Sequence, residues 1–309
     1  MCLGLAGVGQ AIGNVPRAFV SINGSDTNPC SAVQPCRSFN QALTVVQPGG
    51  EIVVQNSGGY STGFTITQGV TIDATGVNAS AISTSATDLC TINTGPGDRV
   101  VLRGISFHGA SVGGNAIAVT QVGSLYVEHC SIAEFTGDGV HMPFGGSLWV
   151  TDTDVRKCQS ALLVESNGAV ASNLVAQDSR FAECVDGIRL GTVSTGLSTG
   201  SATNCTASAC TNGFIAFSQG SNGAVLTLSN CRAIGGSTGL AAMGSGSPGG
   251  GALIFILNCV VMDNNVGIFT SGGTPLSGGP GAVFGTNPGT NLIANNPTGG
   301  TTSTSATLQ

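Results

Sequence analysis

Side chains able to do chemistry are scarce in this 309-residue chain, where charged residues make up only 8%. They fall in three groups. The first is Asp138 and Asp186, each followed three residues later by a base, His141 and Arg189. The second is Asp152, Asp154, Asp178 and Arg180, with His129 beside them; it is the densest acidic stretch. Acids next to an imidazole or a guanidinium suit proton transfer, and clustered carboxylates suit calcium. The third is Tyr126 and Trp149 with Glu128. The chain holds two tyrosines and one tryptophan, so two of these rings on one surface would suit sugar or partner contact. Each group also has an ordinary explanation, since acids and bases on a sheet surface are usually plain ion pairs.

Composition narrows what these groups can serve. Nine basic residues face fifteen acidic ones, the net charge is −6, and Lys157 is the single lysine. Nucleic-acid binding through a basic stripe is excluded, because phosphate contacts need clustered Lys and Arg. No apolar run reaches the roughly 18 residues that a membrane helix needs. A hydrophobic share of 41% argues against disorder over most of the chain. Glycine supplies 49 residues, and Val, Ile, Thr, Ser and Asn are abundant, the vocabulary of short strands and tight turns.

A repeat positions the three groups. Segments anchored on Cys130, Thr153, Ser179, Cys205, Cys231 and Cys259 align with spacings of 23, 26, 26, 26 and 28 residues. Eight or nine positions past each anchor comes a small residue (Gly139, Ala161, Gly187, Gly213, Gly239, Gly267). An apolar one follows (Val140, Leu162, Ile188, Phe214, Leu240, Ile268). Within each unit apolar and polar residues alternate over three short stretches, the period of a strand. One unit cannot bury its apolar face alone, so the repeat predicts a solenoid of parallel strands with one coil per unit. About ten coils at roughly 4.8 Å each would make a rod about 50 Å long.

Coiling stacks equivalent residues into columns. Cys158, Cys184 and Cys210 form one inward column and Cys205, Cys231 and Cys259 another, as small half-apolar fillers of a narrow interior. Asn204, Asn230 and Asn258 line up as an asparagine ladder at a turn. Glu134, Lys157 and Glu183 stack as alternating charges. Asp138 and Asp186 share a column about 10 Å apart, two coils, as do His141 and Arg189. Tyr126 and Trp149 share an outward column on adjacent coils. Eleven cysteines is an odd number. Cys30 and Cys36 flank the proline-containing loop NPCSAVQPC and read as a disulfide, which fits an oxidising compartment. No Cys/His spacing suits zinc, so no metal or other cofactor is expected apart from calcium at the acidic patch.

The opening SFNQALTVVQPGGEIVVQNSGGYSTGFTITQGVTIDATG, together with the repeat, resembles bacterial right-handed parallel β-helix proteins of the pectin-lyase-like superfamily. The resemblance runs from about Ala18 to Asn296. It implies an all-β, single-stranded right-handed parallel β-helix, a short N-terminal capping helix from Ser38 to Val45, and a Gly-Tyr turn at Gly59 and Tyr60. Residues 1–17, beginning MCLGLAGVGQA, read as a tail or the remnant of a secretory signal. Residues 18–296 are the β-helix domain, and 297–309 a low-complexity tail. Insertions at 191–200 and 244–252 fall at one corner, where such solenoids often build a binding face. Enzymes of the superfamily set acids, often with calcium, beside an arginine or lysine on an outer sheet, or pair aspartates to hydrolyse glycosides. The Gly-His-Gly, Asn-x-Asp and Asp-Asp set of polygalacturonases is missing here, as is the Arg-x-Pro-x-x-Arg of pectate lyases, and fold alone does not fix activity.

The sequence therefore favours a secreted, extracellular or cell-surface scaffold without catalysis. It would bind polysaccharide, or copies of itself in filaments joined through the apolar start and the Thr/Ser-rich end. The alternative is a polysaccharide lyase or glycoside hydrolase using an acidic patch on the outer sheet. An adhesin with its glycan specificity in the corner loops comes third.

Overall fold

Alternating apolar residues give each short stretch one dry and one wet face, and three stretches per repeat wind the chain into a three-sided coil. The computed structural model describes residues 15–244, 250–271, 281–285 and 290–297. Among these, the strands form three parallel sheets of eleven, nine and ten strands, with one helix, Phe39–Val45. One turn reads Ser124–Glu128 in the eleven-stranded sheet, Ser131–Ala133 in the ten-stranded sheet and Val140–Met142 in the nine-stranded sheet. Nine turns carry a strand in all three sheets, slightly fewer than the ten coils expected from the repeat. The register follows the repeat: Leu125 pairs with Leu148 and Leu148 with Leu174, all fully buried in a single core.

The anchor column has a chemical reason. Each anchor side chain donates a hydrogen bond to the carbonyl two residues before it. Thr153 reaches Thr151 at 3.0 Å, Ser179 reaches Gln177 at 2.7 Å, and Cys231 reaches Ser229 at 3.4 Å. Cys130, Cys205 and Cys259 do the same. These carbonyls already accept a backbone N–H from the preceding coil, Asn204 N–H to Ser229 at 3.0 Å and Asp178 N–H to Thr203 at 3.0 Å, and the anchor side chain adds a second donor from the interior at the corner. Cysteine, serine and threonine share a small volume and one donor, and that is what the column selects. Cys158, Cys184 and Cys210 repeat the pattern at the next corner. The eight free cysteines among the described residues are all buried. Burial pushes the Cys130 thiol up to about 12 and raises Cys90, whereas hydrogen bonds with neighbouring thiols lower Cys158 and Cys205 and bring Cys259 to about 7. Because burial keeps a reagent from the sulfur atoms whatever their acidity, we expect no reaction of these eight with a thiol reagent in the native state and reaction of all eight after unfolding. A fast-reacting native thiol among them would contradict this packing.

The asparagine column has a different cause from the expected amide ladder. Asn204, Asn230 and Asn258 have φ of 55°, 54° and 53°, and His129, Asp152 and Asp178 one to three coils earlier have 53°, 48° and 50°. Left-handed backbone at this corner selects residues that tolerate it, Asn and Asp above all. Along this column the amide contact runs from Asn204 Nδ2 to Asp178 Oδ1 at 3.0 Å. Asn230→Gly should leave stability nearly unchanged, whereas Asn230→Val should cost about 1–2 kcal/mol in denaturant unfolding, because a β-branched residue strains at positive φ. The next corner is also left-handed, at Glu134, Lys157 and Glu183. There Lys157 Nζ lies 3.6 Å from Glu134, which also meets His108 at 3.4 Å.

The N-terminal end departs from expectation in two places. The first strand is Val15–Val20, so residues 15–17 belong to the solenoid rather than to a tail, and Arg17 pairs with Glu51 at 2.7 Å. Gly59 and Tyr60 lie in the strand Gly58–Ser61, not in a turn. Tyr60 is buried there, its ring stacked 5.5 Å from Phe39 and its hydroxyl donating to Asn56. Ser38 caps the helix by accepting from the Gln41 N–H. Phe39, Ala42 and Val45 of the helix cover the first coil. Cys30 and Cys36 are disulfide-bonded, as expected. The apolar start and most of the low-complexity tail lie outside the described residues.

Candidate functional site

A polar ladder of Asp88, Asn115, Asp138, Ser160, Asp186 and Asn212 runs beside the starts of six successive strands of the nine-stranded sheet. Asp88 Oδ1 accepts from Asn115 Nδ2 at 2.9 Å, and Asn115 Oδ1 accepts the Asp138 N–H at 2.7 Å. Asp138 Oδ1 accepts the Ser160 N–H at 2.8 Å, Ser160 pairs with Asp186, and Asp186 Oδ1 accepts from Asn212 Nδ2 at 2.8 Å. The free oxygens of Asp138 and Asp186, both buried residues about 5% exposed, hold a base three residues on. His141 Nδ1 lies 2.7 Å from Asp138 Oδ2 and Arg189 Nη1 lies 3.5 Å from Asp186 Oδ2. A spacing of three puts acid and base at the mouth of the same strand, and stacking puts the two units two coils apart.

Between them sits Leu163, which pairs with His141 on one side and Arg189 on the other. A half-buried leucine thus floors a recess of about 430 Å³ flanked by an imidazole and a guanidinium, with Asn115 and Gln159 at its rim. Glu165, two residues beyond Leu163 on the strand Ser160–Ser166, is not among the lining residues but meets one of them, Arg189, at Nε at 3.4 Å. The Arg189 guanidinium lies 4.5 Å over the Phe217 ring, and that ring lies over Gly191, where any Cβ would overlap it. Sequence reasoning assembled Asp138, His141, Asp186 and Arg189 but missed Leu163, Glu165 and Phe217. The alternation in SALLVES marks positions 163 and 165 as outward, and that signal was available.

The electrostatics follow from these contacts. The hydrogen bond from Asp138 holds the His141 pKa above its ordinary 6.5, aided by Glu165 and Asp88 and opposed by burial. Burial raises Glu165 above its ordinary 4.5, with Arg189 and His141 pulling the other way. Both shifts are upward, so the folded state binds more protons than the unfolded one across the interval. The His141 contribution is full below pH 6.5 and is lost as pH rises through its folded value. The Glu165 contribution is likewise lost as pH rises from 4.5. Melting temperature should therefore fall with rising pH across this window, and Asp138→Asn should remove the upper part of the slope. An unchanged slope in that variant would show that the pair is not coupled.

The other two groups are put to structural use. Asp152 turns to His129 at 2.8 Å and Asp178 to Asn204. Asp154 sits on the next strand in register with Arg180. No group of three such side chains converges on one point among the described residues. Tyr126 and Trp149 do stack, with centroids 4.6 Å apart and planes 6° apart. Their faces look along the rod, though, and Arg99 covers the far face of Tyr126 at 4.3 Å. Glu128 is held by Arg103 at 2.7 Å, which also pairs with Asp73 at 3.0 Å. Only Trp149 keeps a face turned to the next coil. Phe255 and Phe284 stack in the same column farther along. The insertion corners at 191–200 and 244–252 both join the nine-stranded to the eleven-stranded sheet, as expected, although 245–249 lie outside the described residues.

Three parallel sheets wound from one chain, with an outer-face polar recess, define a parallel β-helix protein. Residues 50–248 match the family described as the right handed beta helix region, and the chain belongs to it. Similar solved structures include pectate lyase Pel9A, at 14% identity and a TM-score of 0.48, covering 96% of this chain and 82% of that one. A rhamnogalacturonan lyase follows at 15% and 0.32, over 91% and 62%. The GH136 lacto-N-biosidase of Eubacterium ramulus stands at 9% and 0.35, over 91% and 67%. No curated protein matches the chain. Among the described residues no helix is long and apolar enough to cross a membrane.

Proposed function

We propose that this chain binds a polysaccharide, laid across the outer face of the nine-stranded sheet at the Leu163 recess. One observation carries the reading: an apolar floor flanked by His141 and Arg189 with amides at the rim. A sugar ring has an apolar face and a rim of hydroxyls, and a leucine surrounded by fixed donors and acceptors matches both. The buried carboxylates of Asp138 and Asp186 fix the two bases before any ligand arrives, so little ordering remains for binding to supply. Extracellular or cell-surface placement is part of the proposal and is supported by the Cys30–Cys36 disulfide. Self-assembly is a lesser part, because the terminal stretches that motivated it lie outside the described residues.

Affinity electrophoresis and calorimetry against soluble xylan, β-glucan, mannan, starch and polygalacturonate test this. At least one neutral polysaccharide should bind, and Leu163→Glu should weaken it at least tenfold with the melting temperature kept. Binding to none of the panel, or binding lost with Trp149→Ala and kept with Leu163→Glu, would overturn the assignment.

A further inference from the structure

The two ends of the rod are finished differently. At the N-terminal end Phe39 and Ala42 of the helix lie fully buried over the first coil. At the other end each sheet stops at an edge strand: Ala282–Gly285, Val266–Ser271 and Leu292–Ala294 have a neighbour on one side only among the described strands. Ile293 continues an inward column and pairs with Val261, yet Val261 is 1% exposed and Ile293 is 39% exposed. Leu292 beside it is 51% exposed. An uncovered core rimmed by open strand edges is a template for further strand pairing.

Charge narrows what fits there. From residue 233 onward Asp263 is the only charged side chain, and the rest of the charge behind the net −6 lies at residues 17–232. A charged partner gains nothing from such an end. Residues 298–309, TGGTTSTSATLQ, offer Leu308 as their one large apolar side chain, so their composition is a poor cover for an open core. A second copy of the chain presents the same three edges at the same spacing and the same neutral, apolar rim. A two-fold axis across the rod brings two such ends together with strand directions opposed, so the edges continue as antiparallel ladders. Arg232 stands two coils behind Leu292, through Val260. Asp263 excepted, the charged bodies of two copies therefore stay roughly 20 Å or more apart, well beyond the screening length of about 8 Å at physiological salt.

We propose that this chain forms a two-fold dimer, C-terminal end to C-terminal end, in which the edge strands of the last coil pair across the junction and Ile293 of each copy helps cover the core of the other. The contact is isologous and closes at two copies, so no filament grows from it. The dimer does not depend on the binding reading. Leu163 lies four coils behind Phe269 of the end coil, through Arg189, Ile215 and Ala241 in register, so the recess stays open in both copies.

Light scattering and sedimentation velocity of the full chain, from nanomolar to high micromolar concentration, test this. A monomer–dimer equilibrium is expected, with little dependence on salt because no charge pair forms at the junction. Negative-stain images should show particles about twice the length of the monomer and of equal width. Leu292→Lys should weaken the dimer at least tenfold, since each copy then sets a charge against a neutral rim, and circular dichroism melting checks that it folds. Ala294→Lys, on the same edge strand, gives an independent reading should the first variant fail to fold. Val33→Lys, at a 90% exposed residue near the other end, should leave the dimer unchanged. A monomer at every concentration, as when residues 298–309 close the end themselves, overturns the proposal. So does a polymer that lengthens with concentration, or a dimer that survives both edge-strand lysines. Each of these results leaves the binding reading standing, since that reading fails only on its own polysaccharide panel.

Discussion

Cys231→Leu should destabilise the fold by about 2–4 kcal/mol, the sum of an overpacked core and a lost thiol hydrogen bond to a carbonyl that keeps its backbone partner, while Cys231→Ser should cost about 1 kcal/mol or less. The contrast follows from the anchor column. Cys231 is 1% exposed, and its thiol donates to Ser229 at 3.4 Å and to Ala202 of the preceding coil at 3.3 Å. Thr153 and Ser179 already occupy equivalent positions and make the same bond through a hydroxyl. Serine therefore keeps the donor and roughly the volume. Leucine keeps the hydrophobicity, removes the donor and adds carbons to an interior that already packs closely. Urea unfolding of the two variants decides the matter. If leucine were tolerated better than serine, the column would be selecting apolarity, and the hydrogen-bonding account of the corner would fall.

The second large effect is expected at a glycine, in register with Glu165 and two residues from Arg189. Gly191→Ala should weaken polysaccharide binding at least tenfold, about 1.4 kcal/mol, although residue 191 is not among those lining the recess. A Cβ at position 191 would overlap the Phe217 ring, and that ring supports the Arg189 guanidinium. Moving the ring moves the arginine that borders the Leu163 floor. Phe217→Ala should reproduce much of the loss by removing the support, and Phe217→Leu should restore part of it. Phe217 also packs with Ile215 and Ala241 in a small apolar cluster on the outer face of the sheet, so a modest fall in stability is expected in both variants. Equal binding in Gly191→Ala and the parent chain would show that the stack does not position Arg189.

The coil, the columns and the three-sheet plan were legible because stacking forces a period on the chain and every unit repeats the same burial problem. The same period placed Asp138 over Asp186 and His141 over Arg189. Three things were not legible, each for a physical reason. The asparagine column looked like an amide ladder because its shared property, a positive φ, leaves no mark in sequence beyond a tolerance for Asn and Asp. Tyr126 and Trp149 looked like a sugar platform because outward placement says nothing of which way a ring face turns; in-register stacking turns it along the rod. Glu165 was passed over because it pairs with a base on another coil, 24 residues away, so no local spacing advertises it.

A crystal of the protein with a neutral oligosaccharide from the best-bound polysaccharide puts the recess to the plainest test. A sugar ring should lie over Leu163, with hydroxyls within hydrogen-bonding reach of His141 Nε2 and of Gln159 or Arg189. A sugar seated instead against Trp149 on the eleven-stranded sheet, or at the insertion corner with the recess empty, would contradict the assignment.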